Sequence, residues 1–114
     1  MPNNAFADRP PPNSRPIRIP RLLAQFILAS DPEESTPGQR DLQIALGALV
    51  SHQDGSVRLR PPEGRAAQQR QAAALRMWIT SFRGTARHTT DPVRQRSIVR
   101  AADTTTRQLT ERHL

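Results

Sequence analysis

The chain has 114 residues, carries a formal net charge of +7 and contains no cysteine. Its hydrophobic content of 35% and aromatic content of 4% leave material for one modest core, and the absence of cysteine excludes disulfides, cysteine-ligated zinc and iron–sulfur clusters. No apolar run approaches the roughly 20 residues of a membrane-spanning helix and no secretory signal is evident, so we expect a cytoplasmic protein without a membrane partner.

The N-terminal residues 1–15 predict a disordered Pro-rich tail, because they contain three consecutive prolines and show no apolar periodicity. The remainder, residues 16–114, predicts a single small helical domain. Its first segment, residues 17–19, alternates isoleucine with arginine. A first helix over about 20–30 follows, with its apolar residues on one face.

A second helix is predicted over about 37–53. Thr36 and Gln39 fit a capping box around Pro37, which favours a helix start at that point. Gly55 suits a left-handed cap beyond the helix end. Residues 56–60 then alternate apolar residues with arginine, as residues 17–19 do. The two segments predict either a two-stranded β ribbon or a pair of extended linkers.

The third predicted helix, over about 64–83, contains Trp78, the only tryptophan. A helical projection places an apolar stripe that includes Trp78 beside three arginines within about 40° of one another. We call Arg65, Arg76 and Arg83 the first arginine row. No acidic residue lies near it on the same helix, so we expect its charge to be undiluted. Gly84 is the expected end of the helix.

A fourth helix is predicted over about 92–112, because Asp91 and Pro92 are typical of a cap and a first turn. Its apolar face is thin and rich in threonine. It also carries three arginines within about 40° of one another, which we call the second arginine row: Arg96, Arg100 and Arg107. We expect Asp103 to pair with Arg107 at i,i+4 and partly neutralise this row.

The charge is distributed unevenly. Residues 1–54 carry five arginines and six acids, a net −1, whereas residues 55–114 carry twelve arginines and four acids, a net +8. Such asymmetry favours a surface for a polyanion. All 17 basic residues are arginine, which together with abundant alanine and proline is typical of a GC-rich bacterial genome, its phage or a plasmid. The choice of arginine over lysine is therefore not counted as evidence for function.

The sequence offers little for catalysis or cofactors. The histidines His52, His88 and His113 lack metal-ligand spacing, and no Gly-rich phosphate-binding loop is present. Cysteine and tyrosine are absent, and no serine–histidine pair has the third group that a catalytic triad requires. We therefore expect no enzyme, no cofactor and no metal.

These observations predict a mostly α fold: a small bundle of about four helices, with a short two-stranded ribbon and a disordered tail. The predicted function is a small nucleic-acid-binding protein, a regulatory or accessory factor that contacts the backbone of duplex DNA, or RNA, through arginines. The alternative is a helical protein–protein module or homodimeric adaptor whose arginines meet an acidic partner. The predicted nucleic-acid-binding residues are Arg65, Arg76 and Arg83 at the centre, with Arg58, Arg60, Arg87, Arg96 and Arg100 as auxiliary contacts.

Overall fold

The computed structural model describes residues 15–29 and 37–114, with side chains from residue 40 onward in the second range. The described part of the chain is mostly helical, with four α helices and one small antiparallel sheet, as predicted. The predicted tail, except for Arg15, and the Thr36 capping box lie outside the described residues. The elements are β1 (Ile17–Ile19), α1 (Arg21–Leu28), α2 (Pro37–Leu46), β2 (Leu49–Ser51), β3 (Val57–Leu59), α3 (Arg65–Thr85), a 3-10 turn (Ala86–His88) and α4 (Pro92–Glu111).

The sheet has the order β1-β3-β2, and both pairings are antiparallel. Ile17 lies opposite Leu59, which confirms the predicted pairing of the two alternating segments. The third strand, β2, corrects the predicted extent of the second helix: α2 ends at Leu46, and the chain enters β2 three residues later, at Leu49. Gly47 has a φ of +85°, a conformation that terminates a helix and that residues other than glycine rarely adopt.

Gly55 has a φ of +84°, but it belongs to the hairpin turn between β2 and β3 and not to a helix end. In this turn the His52 N–H donates to the Ser56 carbonyl at 2.8 Å. The Asp54 carboxylate accepts hydrogen bonds from the Ser56 hydroxyl at 2.6 Å and from its N–H at 3.0 Å. These bonds, with the nearby charge of Arg58, lower the pKa of Asp54 from 3.8 to about 2.

The core lies between α3, α4, α1 and the inner face of the sheet. Trp78 and Phe82 are buried on α3, and the Phe26 ring of α1 contacts both, with ring centroids 6.0 and 5.5 Å away. The inner face of α4 is narrow, because it consists of small and aliphatic side chains, and it is buried. Its buried residues are Ile98, Ala101, Ala102, Thr105 and Leu109.

The start of α4 and the end of α3 show which local sequence patterns predict a helix boundary correctly. The Asp91 carboxylate accepts a hydrogen bond from the Val93 N–H at 2.9 Å, and Pro92 occupies the first turn, so the predicted cap is confirmed. By contrast, α3 does not end at Gly84. It continues to Thr85 and into the 3-10 turn, because Gly84 does not adopt the positive φ of a left-handed helix cap.

Polar side chains connect the sheet to the helices. The buried Gln71 amide donates to the carbonyls of Leu46 at 2.9 Å and Arg60 at 3.0 Å, which joins the end of α2 to the end of β3. The Arg112 guanidinium donates to two carbonyls that precede β1, those of Arg15 and Pro16. Burial, and secondly the charge of Arg15, lower the pKa of Arg112.

Candidate functional site

The second arginine row lies on the solvent-exposed face of α4. Arg96, Arg100 and Arg107 are all exposed, and they lie on the face opposite buried residues such as Thr105. With a rise of about 1.5 Å per residue, the row extends over about 16 Å of the helix axis. The side chains form the walls of a shallow groove of about 640 Å³ along α4, with the exposed Val99 among its lining residues.

The acidic residue within this row, Asp103, is paired with an arginine on another helix. The Asp103 carboxylate accepts a hydrogen bond from the Arg83 guanidinium on α3 at a distance of 2.8 Å, and both side chains are about half exposed. The predicted pairing of Asp103 with Arg107 is therefore wrong. So is the expectation that the first row is undiluted, because Arg83 belongs to it. The cause is the packing of α4 back along α3, which a projection of one helix does not show.

The three members of the first row have different surroundings. Arg65 is exposed in the first turn of α3. Arg76 is half-buried and donates a hydrogen bond to the Leu114 carbonyl at 2.5 Å, and Arg83 is ion-paired. The structure consequently does not bring these arginines together as one continuous free surface. Part of the row serves to join α3 to the C-terminal end of α4.

The other predicted arginines lie on two separate surfaces. Arg58 is half-buried in β3, where it donates to Asp54 at 3.1 Å and to the Ser56 hydroxyl. Arg60 is exposed immediately after β3. Arg87 is exposed in the 3-10 turn and shares a small cleft of about 240 Å³ with Arg83. Arg87 is thus near α4, whereas Arg58 and Arg60 belong to the sheet.

Among the described residues, no carboxylate lies within 4.0 Å of Arg96, Arg100 or Arg107. Arg96, Arg100 and Arg107 therefore keep their guanidinium groups available for a ligand. A guanidinium is always charged at neutral pH and presents donors in a planar fork that matches phosphate and carboxylate oxygens. The geometry of α4 is suited to binding an extended anion.

Arg107 is the residue that the sequence-based site omits. Asp103 precedes it by four residues, a spacing that favours an ion pair on an isolated helix and predicts a partly neutralised row. The signal that would have restored it is the competition for Asp103 from Arg83, which becomes visible only when α3 and α4 are placed side by side.

In the described ranges, no three histidine, aspartate or glutamate side chains are grouped as a metal site would require. Nor does any described helix combine the length and the apolar character needed to cross a bilayer. Comparison with protein-family models, with curated proteins and with solved structures finds no match to this chain.

Proposed function

We propose that the protein binds the phosphate backbone of nucleic acid, duplex DNA in the first instance, through the second arginine row on α4. The observation that supports this proposal is the set of three exposed guanidiniums on one helix face, none of which has a described carboxylate within 4.0 Å. Asp103, the acid between Arg100 and Arg107, is paired with Arg83. A straight row of cations suits a polymer with regularly repeated negative charges better than it suits a single small anion.

The aromatic residues favour backbone contact over base stacking. Proteins that bind single strands by stacking present exposed aromatic rings. Among the described residues, Trp78 and Phe82 are only 5% and 3% exposed, and Phe26 packs against them. Binding would therefore depend on charge, tolerate many sequences and weaken steeply with salt.

Arg87 is an auxiliary candidate in this proposal, because it is exposed in the 3-10 turn that precedes α4. Arg76 contributes in a different way: its hydrogen bond to the Leu114 carbonyl fixes the end of the chain against α3. Its removal would alter the position of the α4 end more than it would remove a phosphate contact.

The test is a titration of random-sequence duplex DNA at several salt concentrations, measured by mobility shift or fluorescence anisotropy. The critical variant is Arg96/Arg100/Arg107→Gln. Its matched control is Arg60/Arg65/Arg70→Gln, which removes the same charge from exposed arginines outside α4. We expect the slope of log affinity against log salt to become shallower by about 2.7 in the first variant, at about 0.9 per lost phosphate contact.

Two results would contradict the proposal. One is an absence of binding by the unmodified protein at low salt. The other is an equal loss of affinity in both triple variants, which would show that net charge matters and the α4 face does not. A greater loss in the control would transfer the site to the surface that carries Arg60, Arg65 and Arg70.

A further inference from the structure

The two edges of the sheet differ in the hydrogen bonding of their outward-facing backbone groups. At the β1 edge, the outward-facing backbone of Arg18 is paired with the side-chain amide of Gln108 on α4: the amide donates to the Arg18 carbonyl at 2.7 Å, and its oxygen accepts from the Arg18 N–H at 3.0 Å. A side chain thus occupies the place of a neighbouring strand. This edge is closed to further pairing.

At the β2 edge, no described residue pairs with the outward-facing backbone. Val50 lies opposite Arg58 in the register with β3, and the turn bond from the His52 N–H to the Ser56 carbonyl sets the alternation of bonded pairs. In an antiparallel ladder every second residue bonds to the neighbour, so Val50 bonds to β3 while Leu49 and Ser51 direct their N–H and C=O groups away from the sheet. No described backbone group bonds to them from outside.

The surface beside this open edge is apolar. Val50 on β2 is 47% exposed, and Leu28 at the end of α1, which lines a groove together with Leu49, is 70% exposed. This groove of about 370 Å³ runs between the end of α1, the end of α2 and the start of β2, and none of the described residues that line it is charged. None of the features that natural proteins use to protect an edge strand, such as lysine, proline or a bulge, is present in β2.

We propose that β2 pairs with β2 of a second copy of this chain, which joins two three-stranded sheets into one six-stranded sheet. The strand is its own complement. A two-fold axis at Val50 places each Leu49 opposite Ser51 of the second copy and forms four backbone hydrogen bonds from the four outward-facing groups of each strand. The two Val50 side chains then meet in the closely spaced, non-bonded pair of the ladder.

The charge distribution favours a second copy over a charged partner. The whole chain carries +7, but the excess lies in residues 55–114, while residues 1–54 carry a net −1. The described lining of the groove beside β2 contains no cation that could bind a polyanion or an acidic protein. Two copies that approach through this edge bring two Val50 side chains together and keep the arginines of α4 at the opposite edge, where Gln108 contacts β1.

A dimer of this kind would set the distance between the second arginine rows of the two copies. The dimer itself does not depend on nucleic-acid binding. Each α4 lies beside an outer β1 strand, so the two rows are separated by at least the width of six strands. Five spacings of about 4.8 Å give a minimum of about 24 Å. The pair of rows would extend over a longer stretch of a polyanion than one row does.

The test is sedimentation equilibrium of the full chain over a wide range of concentrations, with Val50→Lys and, as its matched control, Val93→Lys. Val93 is a 62% exposed valine on α4, far from β2 in the fold. We expect a concentration-dependent dimer that Val50→Lys weakens about tenfold or more, because like charges directly opposite destabilise a strand pair. Val93→Lys should leave the dimer unchanged.

Hydrogen exchange at the Leu49 and Ser51 amides provides a second readout. We expect protection that rises with protein concentration in the unmodified chain and in Val93→Lys, but not in Val50→Lys. A chain that stays monomeric at the highest concentration overturns the proposal. So does protection that is independent of concentration, because it would mean that the chain's own residues cover the edge. Neither result affects the DNA titration of the α4 variants.

Discussion

The side-chain amide of Gln108 forms two hydrogen bonds with the backbone of Arg18, 90 residues earlier in the chain. The amide group reproduces the donor and acceptor of a neighbouring strand. It thereby satisfies the edge of β1 and also fixes the C-terminal part of α4 against the sheet.

Replacing Gln108 with alanine should destabilise the fold by about 1–2 kcal/mol, because two hydrogen bonds at a partly solvated position are lost. It should also increase self-association, since the β1 edge becomes available. Chemical denaturation and size-exclusion chromatography measure the two effects. Gln69→Ala, at an exposed position on α3, is the control and should change neither. A similar loss in both variants would show that the Arg18 contact contributes nothing.

Replacing Gln71 with leucine should cost more, about 2–3 kcal/mol, although the substitution preserves volume. The amide is 2% exposed and donates to two carbonyls, so its removal leaves acceptors without partners in a buried region. The comparison is Gln68→Leu, in which a half-buried amide loses one bond to the Pro62 carbonyl. Urea denaturation should rank Gln71→Leu as clearly the less stable. The opposite ranking would contradict this interpretation.

Much of the fold follows from local sequence signals. Asp91 and Pro92 locate the start of α4 because capping is determined within one turn, and the periodicity around Trp78 locates α3 because a 21-residue helix needs a continuous buried stripe. The β2 strand was missed. Leu46, Leu49 and Val50 follow a helical spacing, which predicts a longer helix. The helix ends because Gly47 adopts a left-handed conformation, and Leu49 then pairs with Leu59 across the sheet.

The candidate site was harder to predict, because its charge balance depends on contacts between helices. The sequence places the first row and the second row on one face each of α3 and α4. It does not show that Arg83 reaches Asp103, or that Arg76 is used by the Leu114 carbonyl. Interactions at i,i+4 are visible in a sequence, whereas a pair 20 residues apart requires the packing of the two helices.

The hairpin turn should make stability depend on pH in acid. The folded pKa of Asp54 is about 2 and its ordinary value is 3.8, because the ionised carboxylate accepts two hydrogen bonds from Ser56. Ionised Asp54 therefore stabilises the fold above about pH 4, and this contribution is lost as the pH falls from about 4 to 2. We expect Asp54→Asn to lower the thermal midpoint at neutral pH and to flatten its decline below pH 4.

The control for Asp54 is Glu111→Gln, which removes an exposed carboxylate at the end of α4. It should leave the difference between the midpoints at pH 4 and pH 2 close to that of the unmodified protein. Direct titration of the Asp54 carboxyl by NMR gives the same information at one atom. A carboxyl that titrates near 3.8 in the folded protein would contradict the Ser56 contacts.

Releasing Arg83 should strengthen nucleic-acid binding. Asp103→Asn removes the one negative charge in the second row and frees the Arg83 guanidinium beside it. The fold should lose less than about 1 kcal/mol, because the ion pair is exposed. Duplex DNA should bind more tightly at low salt, with a log–log salt slope steeper by about 0.9 if Arg83 gains a phosphate.

Glu63→Gln makes the same change in net charge at an exposed position outside the helices, so it should raise the affinity less and leave the slope unaltered. Equal effects of the two variants would mean that binding responds to net charge alone, and unchanged affinity in Asp103→Asn would remove α4 from the interface.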